Sequence, residues 1–226
     1  MEPIEDKFYL IDKPATWTSF DVVKKMKYLG QFKKIGHAGT LDPLATGLLI
    51  ICVGKYTKKI EHFQSLSKTY EGSFVLGKTT PSIDLETAFD ETDYPTNHIN
   101  LELLEQVKNS FLGQIAQTPP IYSAVKQSGK RLFEHARKGV LESEMEIKSR
   151  MVEIYDFEID STNFPEIGFK IRCSKGTYIR SIVRDFGLAC QSGAYLKNLR
   201  RTFIGEFSVD KAMKITEFDQ DCYETI

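Results

Sequence analysis

The sequence predicts an α+β (mixed α/β) fold on a central mixed sheet flanked by helices, and three observations carry that expectation. Strand-like and helix-like runs are interspersed over the first half of the chain. Two strand-like runs then follow one another, around 151–159 and 166–173. No repeat, low-complexity tract or linker-like stretch divides the 226 residues, so a single domain over 1–226 is expected.

Taken in order, Phe8 to Ile11 reads as a short strand leading into Lys13-Pro14. Thr18 or Ser19 can cap a helix with Phe20, Val23, Met26 and Leu29 at helical spacing, ended by Gly30. Residues 47–53 are a buried strand or its approach. Lys68 to Gly77 alternates, with Tyr70, Gly72, Phe74 and Leu76 on one face, the period of a strand. Asn100 opens a helix carrying Leu101, Leu104, Val107 and Phe111, closed by Gly113. From Gln117 to Arg150 the chain starts with Pro119-Pro120, is rich in basic residues and holds a short helix near Arg131 to Lys138. Thr177 to Ala189 reads as an amphipathic helix, and Arg201 to Phe207 as a closing strand.

Composition narrows the classes. Hydrophobic residues make up 41% and charged residues 27%, the balance of a water-soluble enzyme. The longest apolar run, 48–53, is far too short for a bilayer span, and the acidic start Met1 to Asp6 lacks the plan of a signal peptide. A cytoplasmic location is expected. Cys52, Cys173, Cys190 and Cys222 are scattered with no Cys-x-x-Cys pair, which argues against a metal site or disulfide framework. Net charge is −1, which argues against a generic polyanion binder, but the charges are unevenly spread. Residues 84–105 hold seven carboxylates and no Lys or Arg, while basic residues gather at 24–34, 55–59, 126–138, 172–184 and 197–201. Such a chain can present a basic face to a phosphate backbone; each cluster by itself also reads as a solvated helix face.

The most informative stretch is Gly36-His37-Ala38-Gly39-Thr40-Leu41-Asp42-Pro43-Leu44-Ala45-Thr46-Gly47-Leu48-Leu49. Its glycines permit unusual backbone angles, and Pro43 biases Asp42 toward an extended conformation. One carboxylate thus sits on a stiffened loop anchored to an apolar run. Asp42-Pro43 is equally a helix start, with Asp as N-cap and Pro at the first helical position. A second string, Gly72 to Thr79, satisfies the P-loop pattern letter by letter. Its middle residues continue a strand's alternation and Pro81 follows soon after, so it lacks the strand–turn–helix setting that pattern needs.

The stretch from Gly36 to Leu49 closely resembles the catalytic motif of the TruB-type tRNA pseudouridine synthases, and the resemblance extends over most of the chain. Ile11-Asp12-Lys13-Pro14 through Thr18-Ser19 resembles the family's N-terminal motif, with Thr16 in place of the usual glycine. Lys68-Thr69-Tyr70 resembles its K-x-Y element. Leu76-Gly77 with Thr80, Ser82 and Asp84 is similar to a third element, in which Thr87 stands where glycine is common. Pro119 through Gly139 looks like the RNA-clasping thumb, here spanning about 117–150. Cys173 through Ser181 and Leu199-Arg200-Arg201-Thr202 match two late elements. The short acidic stretch after Val209 leaves no room for the family's C-terminal PUA-type RNA-binding domain, so a short form is expected.

The resemblance implies isomerisation of uridine to pseudouridine at position 55 in the T-loop of tRNA, with the T-arm stem-loop as the recognised part. It implies Asp42 as nucleophile, Tyr70 stacking on the flipped base and Arg180 pairing with the aspartate. It further implies substrate contacts from Lys13, His37, Tyr178 and Leu199, and phosphate contacts from Lys130, Arg131, Arg137 and Lys138. Base flipping costs a few kcal/mol, which stacking offsets in part. No cofactor, no metal, no membrane and no obligate protein partner are expected, and the protein is expected to be a monomer. Three rivals are a non-catalytic tRNA-binding or remodelling module, a P-loop NTPase and a guide-RNA-dependent pseudouridine synthase.

Overall fold

The computed structural model describes residues 7–123, 125–127, 130–132, 134, 145 and 147–218, with the backbone alone for 126, 127, 130 and 131. In chain order these form β1 (Phe8–Lys13), α1 (Ser19–Leu29), β2 (Ile35–His37), β3 (Thr46–Val53), α2 (Ile60–Ser65), β4 (Lys68–Leu76), α3 (Leu101–Ser110) and β5 (Gly113–Gln117). They continue as β6 (Lys126–Gln127), β7 (Lys130–Arg131), β8 (Arg150–Asp160), β9 (Glu166–Cys173), α4 (Ile179–Ala189), β10 (Ala194–Ile204), β11 (Phe207–Ser208) and β12 (Met213–Lys214). The chain packs as two units, Met1–Glu71 with Leu199–Ile226, and Gly72–Asn198.

In the first unit β3 is the axis. β1 runs antiparallel along it, from Phe8 opposite Cys52 to Lys13 opposite Gly47. β10 pairs with its start in parallel, Arg200 with Thr46 and Arg201 with Gly47, while β2 pairs antiparallel with its end. β12 adds to β1 in parallel, so the sheet is mixed, as expected. Every residue of β3 after Thr46 is buried, and the period-2 alternation of a strand sends them to two cores. Leu49, Ile51 and Val53 meet the apolar stripe of α1, Val22, Val23 and Met26, together with Tyr9, Ile11 and Phe32. Leu48, Ile50 and Cys52 meet Leu10, Phe63, Ile204 and Val209. Each such large side chain contributes about 1.5–3 kcal/mol of burial. Thr18 caps α1 through a capping box: its hydroxyl accepts from the Asp21 amide and the Asp21 carboxylate accepts from the Thr18 amide.

In the second unit β9 lies between β4 and β8, and β5 pairs antiparallel with β8. A one-residue bulge at Tyr155 shifts the β8–β9 register. Phe74, Phe111, Phe157 and Phe186 make the core where α3 and α4 cover this sheet. Asn100 caps α3 through its side-chain oxygen.

Several boundaries differ from expectation for physical reasons. α3 ends at Ser110, and Gly113, at φ 83°, opens β5, a strand whose mostly exposed GQIAQ sequence carries no apolar alternation. β10 starts at Ala194, earlier than the expected 201, and the turn at Gly205-Glu206 separates it from β11. Gly72 to Leu76 remain in strand β4, followed by Gly77 at φ 99° and a Lys78–Asp93 ion pair, so the P-loop pattern is coincidental. The expected helix near 131–138 lies largely outside the described residues, as do Arg137 and Lys138. No helix among the described residues is long and apolar enough to cross a membrane.

Candidate active site

No helix follows Asp42. The Ala45 amide donates to the Asp42 carbonyl at 3.1 Å, closing a tight turn, and strand β3 begins at Thr46. The capping role of Asp42 is therefore excluded, and its half-buried carboxylate stands on a loop that enters a strand. Four anchors hold that loop. Ser19, at the start of α1, accepts from the Leu41 amide at 2.8 Å. Lys13 Nζ donates to the Pro43 carbonyl at 3.1 Å and also to the carbonyls of Pro14 and Trp17. Arg201 Nη2 donates to the Gly39 carbonyl at 3.1 Å, and its Nε to the Leu48 carbonyl at 2.8 Å. Gly47, at φ 102°, admits β10 so closely that a Cβ there would lie 2.3 Å from the Arg201 carbonyl oxygen. Hydrogen bonds from charged donors contribute about 1.5–3 kcal/mol each, so the loop is held rigidly before any substrate arrives.

The charges under the loop are unusual. Lys13 is fully buried and Arg201 is 1% exposed. Burial pushes the Lys13 pKa down to about 8; the Asp42 carboxylate opposes the shift and the Arg201 guanidinium adds to it. His37, at the end of β2, is likewise pushed below its ordinary range by burial and by Arg201, against a backbone hydrogen bond at Gly39. It is a neutral imidazole at neutral pH. Lys13, expected to contact substrate, donates in this structure to three carbonyls, of the loop and of the turn after β1. Thr16 holds that turn at φ 69°, the conformation for which glycine is suited.

Leu199 and Tyr70 are both buried in this unit. The Leu199 carbonyl accepts from the Thr46 hydroxyl at 3.5 Å. Tyr70 lies on β4, two residues past Lys68, whose ammonium caps the end of α2 through the carbonyls of Phe63, Gln64 and Leu66. Arg200 grips Asp12 with two nitrogens, at 3.0 and 2.8 Å.

The second unit holds the other expected residues. Arg180 is 3% exposed and begins α4. Its guanidinium donates to the Ser82 carbonyl at 3.0 Å and the Tyr122 carbonyl at 2.8 Å, and its Nε lies 3.8 Å from the Asp84 carboxylate. A cation at a helix start is mildly unfavourable for the macrodipole, which calls for an anionic partner, and within this unit that partner is Asp84. The turn carrying Asp84 is built by Thr80 and Ser82, whose hydroxyls donate to the Asp84 carbonyl, and by Ile83 at φ 65°. Thr87, where glycine was expected, closes this turn through Ser82. Tyr178 caps α4, exchanges two hydrogen bonds with Gln117, and carries the Arg150 guanidinium over its ring at 4.5 Å.

The structure thus gathers Lys13, His37 and Asp42 around Arg201 in one unit, and Tyr178 and Arg180 in the other. Lys130 and Arg131 are described by backbone alone, and Arg137 lies outside the described residues. Sequence reading missed Arg201, Ser19 and Gln117 as positioning residues, and grouped Arg201 with a solvated basic cluster. Arg201 is interior. The available signal was its placement in a strand among apolar neighbours.

This chain matches the TruB family pseudouridylate synthase (N terminal domain) over residues 25–179. It is 53% identical over 226 residues to tRNA pseudouridine synthase B of Flavobacterium johnsoniae, covering 97% of each chain. It is 48% identical to tRNA pseudouridine synthase B of Parabacteroides distasonis, covering 97% of this chain and 94% of that one. Among solved structures it is similar to a chain of a Cbf5–Nop10–Gar1 complex, with TM-score 0.71 and 26% identity, over 95% of this chain and 54% of that one. A chain of an archaeal box H/ACA sRNP Nop10–Cbf5 complex shares the fold with TM-score 0.70. This chain spans about half the length of both solved chains. A mixed sheet with an aspartate loop pinned to its central strand places the molecule in the pseudouridylate synthase class. Within that class, the chain belongs to the TruB family.

Proposed function

We propose that this protein isomerises uridine to pseudouridine at position 55 in the T-loop of tRNA, with Asp42 as the nucleophile. The observation that carries the reading is the Asp42 loop itself: a carboxylate that caps no helix, held from below by Lys13, Ser19 and Arg201. The curated relatives named tRNA pseudouridine synthase B support the choice of tRNA. The reaction breaks the N1–C1′ bond, turns the uracil and forms C5–C1′, while C5 gives up its hydrogen and N1 gains one. Product is an isomer of substrate, so no oxidant or energy carrier is consumed. A carboxylate nucleophile divides the exchange into two easier steps. Neutral His37 fills the space the flipped base vacates, Tyr70 stacks on that base, and Tyr178 and Leu199 line the site. Arg180 is the third catalytic residue. The protein works as a cytoplasmic monomer on tRNA alone, and a thumb over 117–150 holds phosphates through Lys130, Arg131, Arg137 and Lys138.

The test is incubation with unmodified tRNA followed by mapping of pseudouridine. Asp42→Asn keeps the size of the side chain and removes its charge. It is expected to fold and bind tRNA while turnover falls on the order of 10³-fold or more, the scale seen when an acting nucleophile is removed. Normal turnover by Asp42→Asn overturns the assignment. Binding without product by the wild-type protein would favour a silent remodelling module, and product only with an added guide RNA would favour the guide-dependent rival.

A further inference from the structure

Between Asp21 and Asp42 the chain carries five lysines, Lys24, Lys25, Lys27, Lys33 and Lys34, and no acidic residue, in a protein of net charge −1. All five are exposed. An α-helix advances about 100° per residue, so Phe20, Lys24, Lys27 and Tyr28 share one solvent face of α1, opposite the buried stripe of Val22, Val23 and Met26. Tyr28 is 81% exposed and Phe20 65%, though each could have been polar at no cost to the core. Past Gly30 the chain reverses at Gln31, φ 49°, and returns Lys33 to the same place. Lys24, Lys27, Tyr28, Gln31, Phe32 and Lys33 line one open groove of about 810 Å³.

Among the described residues Lys25, Lys27, Lys33 and Lys34 have no carboxylate partner, and Lys24 has only the field of Asp21. A basic residue in the last turn of a helix is favourable for the macrodipole, which accounts for Lys27. It does not account for Lys33 and Lys34 beyond the helix, or for an exposed tyrosine between lysines. Unpaired cations interleaved with exposed aromatic rings suit a ligand that is both polyanionic and ring-bearing, which is a nucleic acid strand. The open shape suits a polymer rather than an enclosed small molecule. The other end of α1 touches the nucleophile loop, since Ser19 holds Leu41. The helix places the groove about 15 Å further along its axis, at about 1.5 Å per residue.

We propose that this groove is a second RNA contact. Lys24, Lys27 and Lys33 hold backbone phosphates of the same tRNA whose uridine meets the Asp42 loop, and Tyr28 packs on a ribose or an unpaired base. The inference rests on the proposed tRNA activity. The test uses the full chain and unmodified tRNA, measuring Kd against salt by filter binding and pseudouridine formation at steady state. Lys24→Gln/Lys27→Gln/Lys33→Gln is expected to raise Kd and KM about tenfold near 0.1 M salt and to leave kcat within about twofold. Its log–log salt slope should be shallower by about 2, at roughly 0.7–0.9 for each phosphate no longer neutralised. Tyr28→Ala is expected to weaken binding about fivefold or more with the slope unchanged, as removal of a stacking ring does. An unchanged Kd and slope in the triple variant overturns the proposal, and would leave the face to an acidic protein partner. A fall in kcat with binding intact also overturns it, because the effect would then run through the Asp42 loop. Failure of the wild-type protein to form pseudouridine would sink the activity reading, while the Kd measurements judge the groove on their own.

Discussion

Arg201 in the first unit and Arg180 in the second do similar mechanical work with opposite electrostatic settings. Each is an interior arginine that holds loops through carbonyl oxygens: Gly39 and Leu48 for Arg201, Ser82 and Tyr122 for Arg180. Arg180 also faces the buried carboxylate of Asp84 at 3.8 Å. Arg201 shares its neighbourhood with a second buried cation, Lys13, and the field of Asp42 favours the charge on that lysine. The first unit is arranged around a carboxylate with two buried cations beside it; the second is arranged around an arginine that faces a buried carboxylate. Two buried cations side by side are costly, and here both lie beside one carboxylate, Asp42, whose loop they hold.

The largest expected effect separates the two arginines. Arg180→Met strands the Asp84 carboxylate and should cost about 3–5 kcal/mol in urea unfolding, the scale for a buried charge that loses its partner. Adding Asp84→Asn should recover part of that loss. Arg201→Met leaves two carbonyls short of a donor, at about 1–3 kcal/mol each, and has no stranded carboxylate to rescue. If Asp84→Asn fails to rescue Arg180→Met, the ion pair is not what distinguishes the units. Arg180→Lys, which keeps charge but loses the planar fork, should lose much of the catalytic activity, and near-normal turnover would remove Arg180 from the reaction.

A smaller effect is set by pH. Lys13 titrates near 8 in the folded protein, below its ordinary 10.5. Folding therefore disfavours the protonated form, the unfolded chain binds more protons between these values, and the Lys13 contribution to stability rises with pH through that window. Activity should move the other way. Above pH 8 the ammonium that holds Pro43 loses its charge, and turnover should decline while the unfolding midpoint does not. Arg201→Met removes a cation that depresses Lys13, so the alkaline limb of its residual activity should shift upward. A limb that stays in place would show that Lys13 does not set it.

The smallest effect compares two strained turns. Thr16 in the first unit and Ile83 in the second both hold positive φ, at 69° and 65°. Thr16 is exposed, so Thr16→Gly relieves strain at no packing cost and should stabilise by about 0.5–1 kcal/mol in thermal unfolding. Ile83 is buried, and Ile83→Gly should destabilise by about 2 kcal/mol or more, because lost burial outweighs the same relief. Destabilisation by Thr16→Gly would mean that the threonine hydroxyl, which donates to the Ala15 carbonyl, matters more than the backbone strain.

What could be read from sequence alone was local. Thr18 and Asn100 cap their helices because a short polar side chain meets amides three residues on, which needs no knowledge of the rest of the chain. The apolar run of β3 and the alternation of β4 announced strands through their own periodicity, while the glycine-flanked Asp42-Pro43 string read equally as a stiffened loop and as a helix start. What only the tertiary structure decided depended on partners distant in the chain. Asp42 starts no helix because Ala45 turns back and β3 must meet β1 and β10. β5 exists because β8 pairs with it, although its own residues alternate in no useful way. Arg201 is interior because β10 enters beside Gly47, more than 150 residues earlier in the chain, and its guanidinium is committed to Leu48 and Gly39. A sequence records which side chains could bear charge; which charges are buried, and against what, is settled only when the sheet order brings distant strands together.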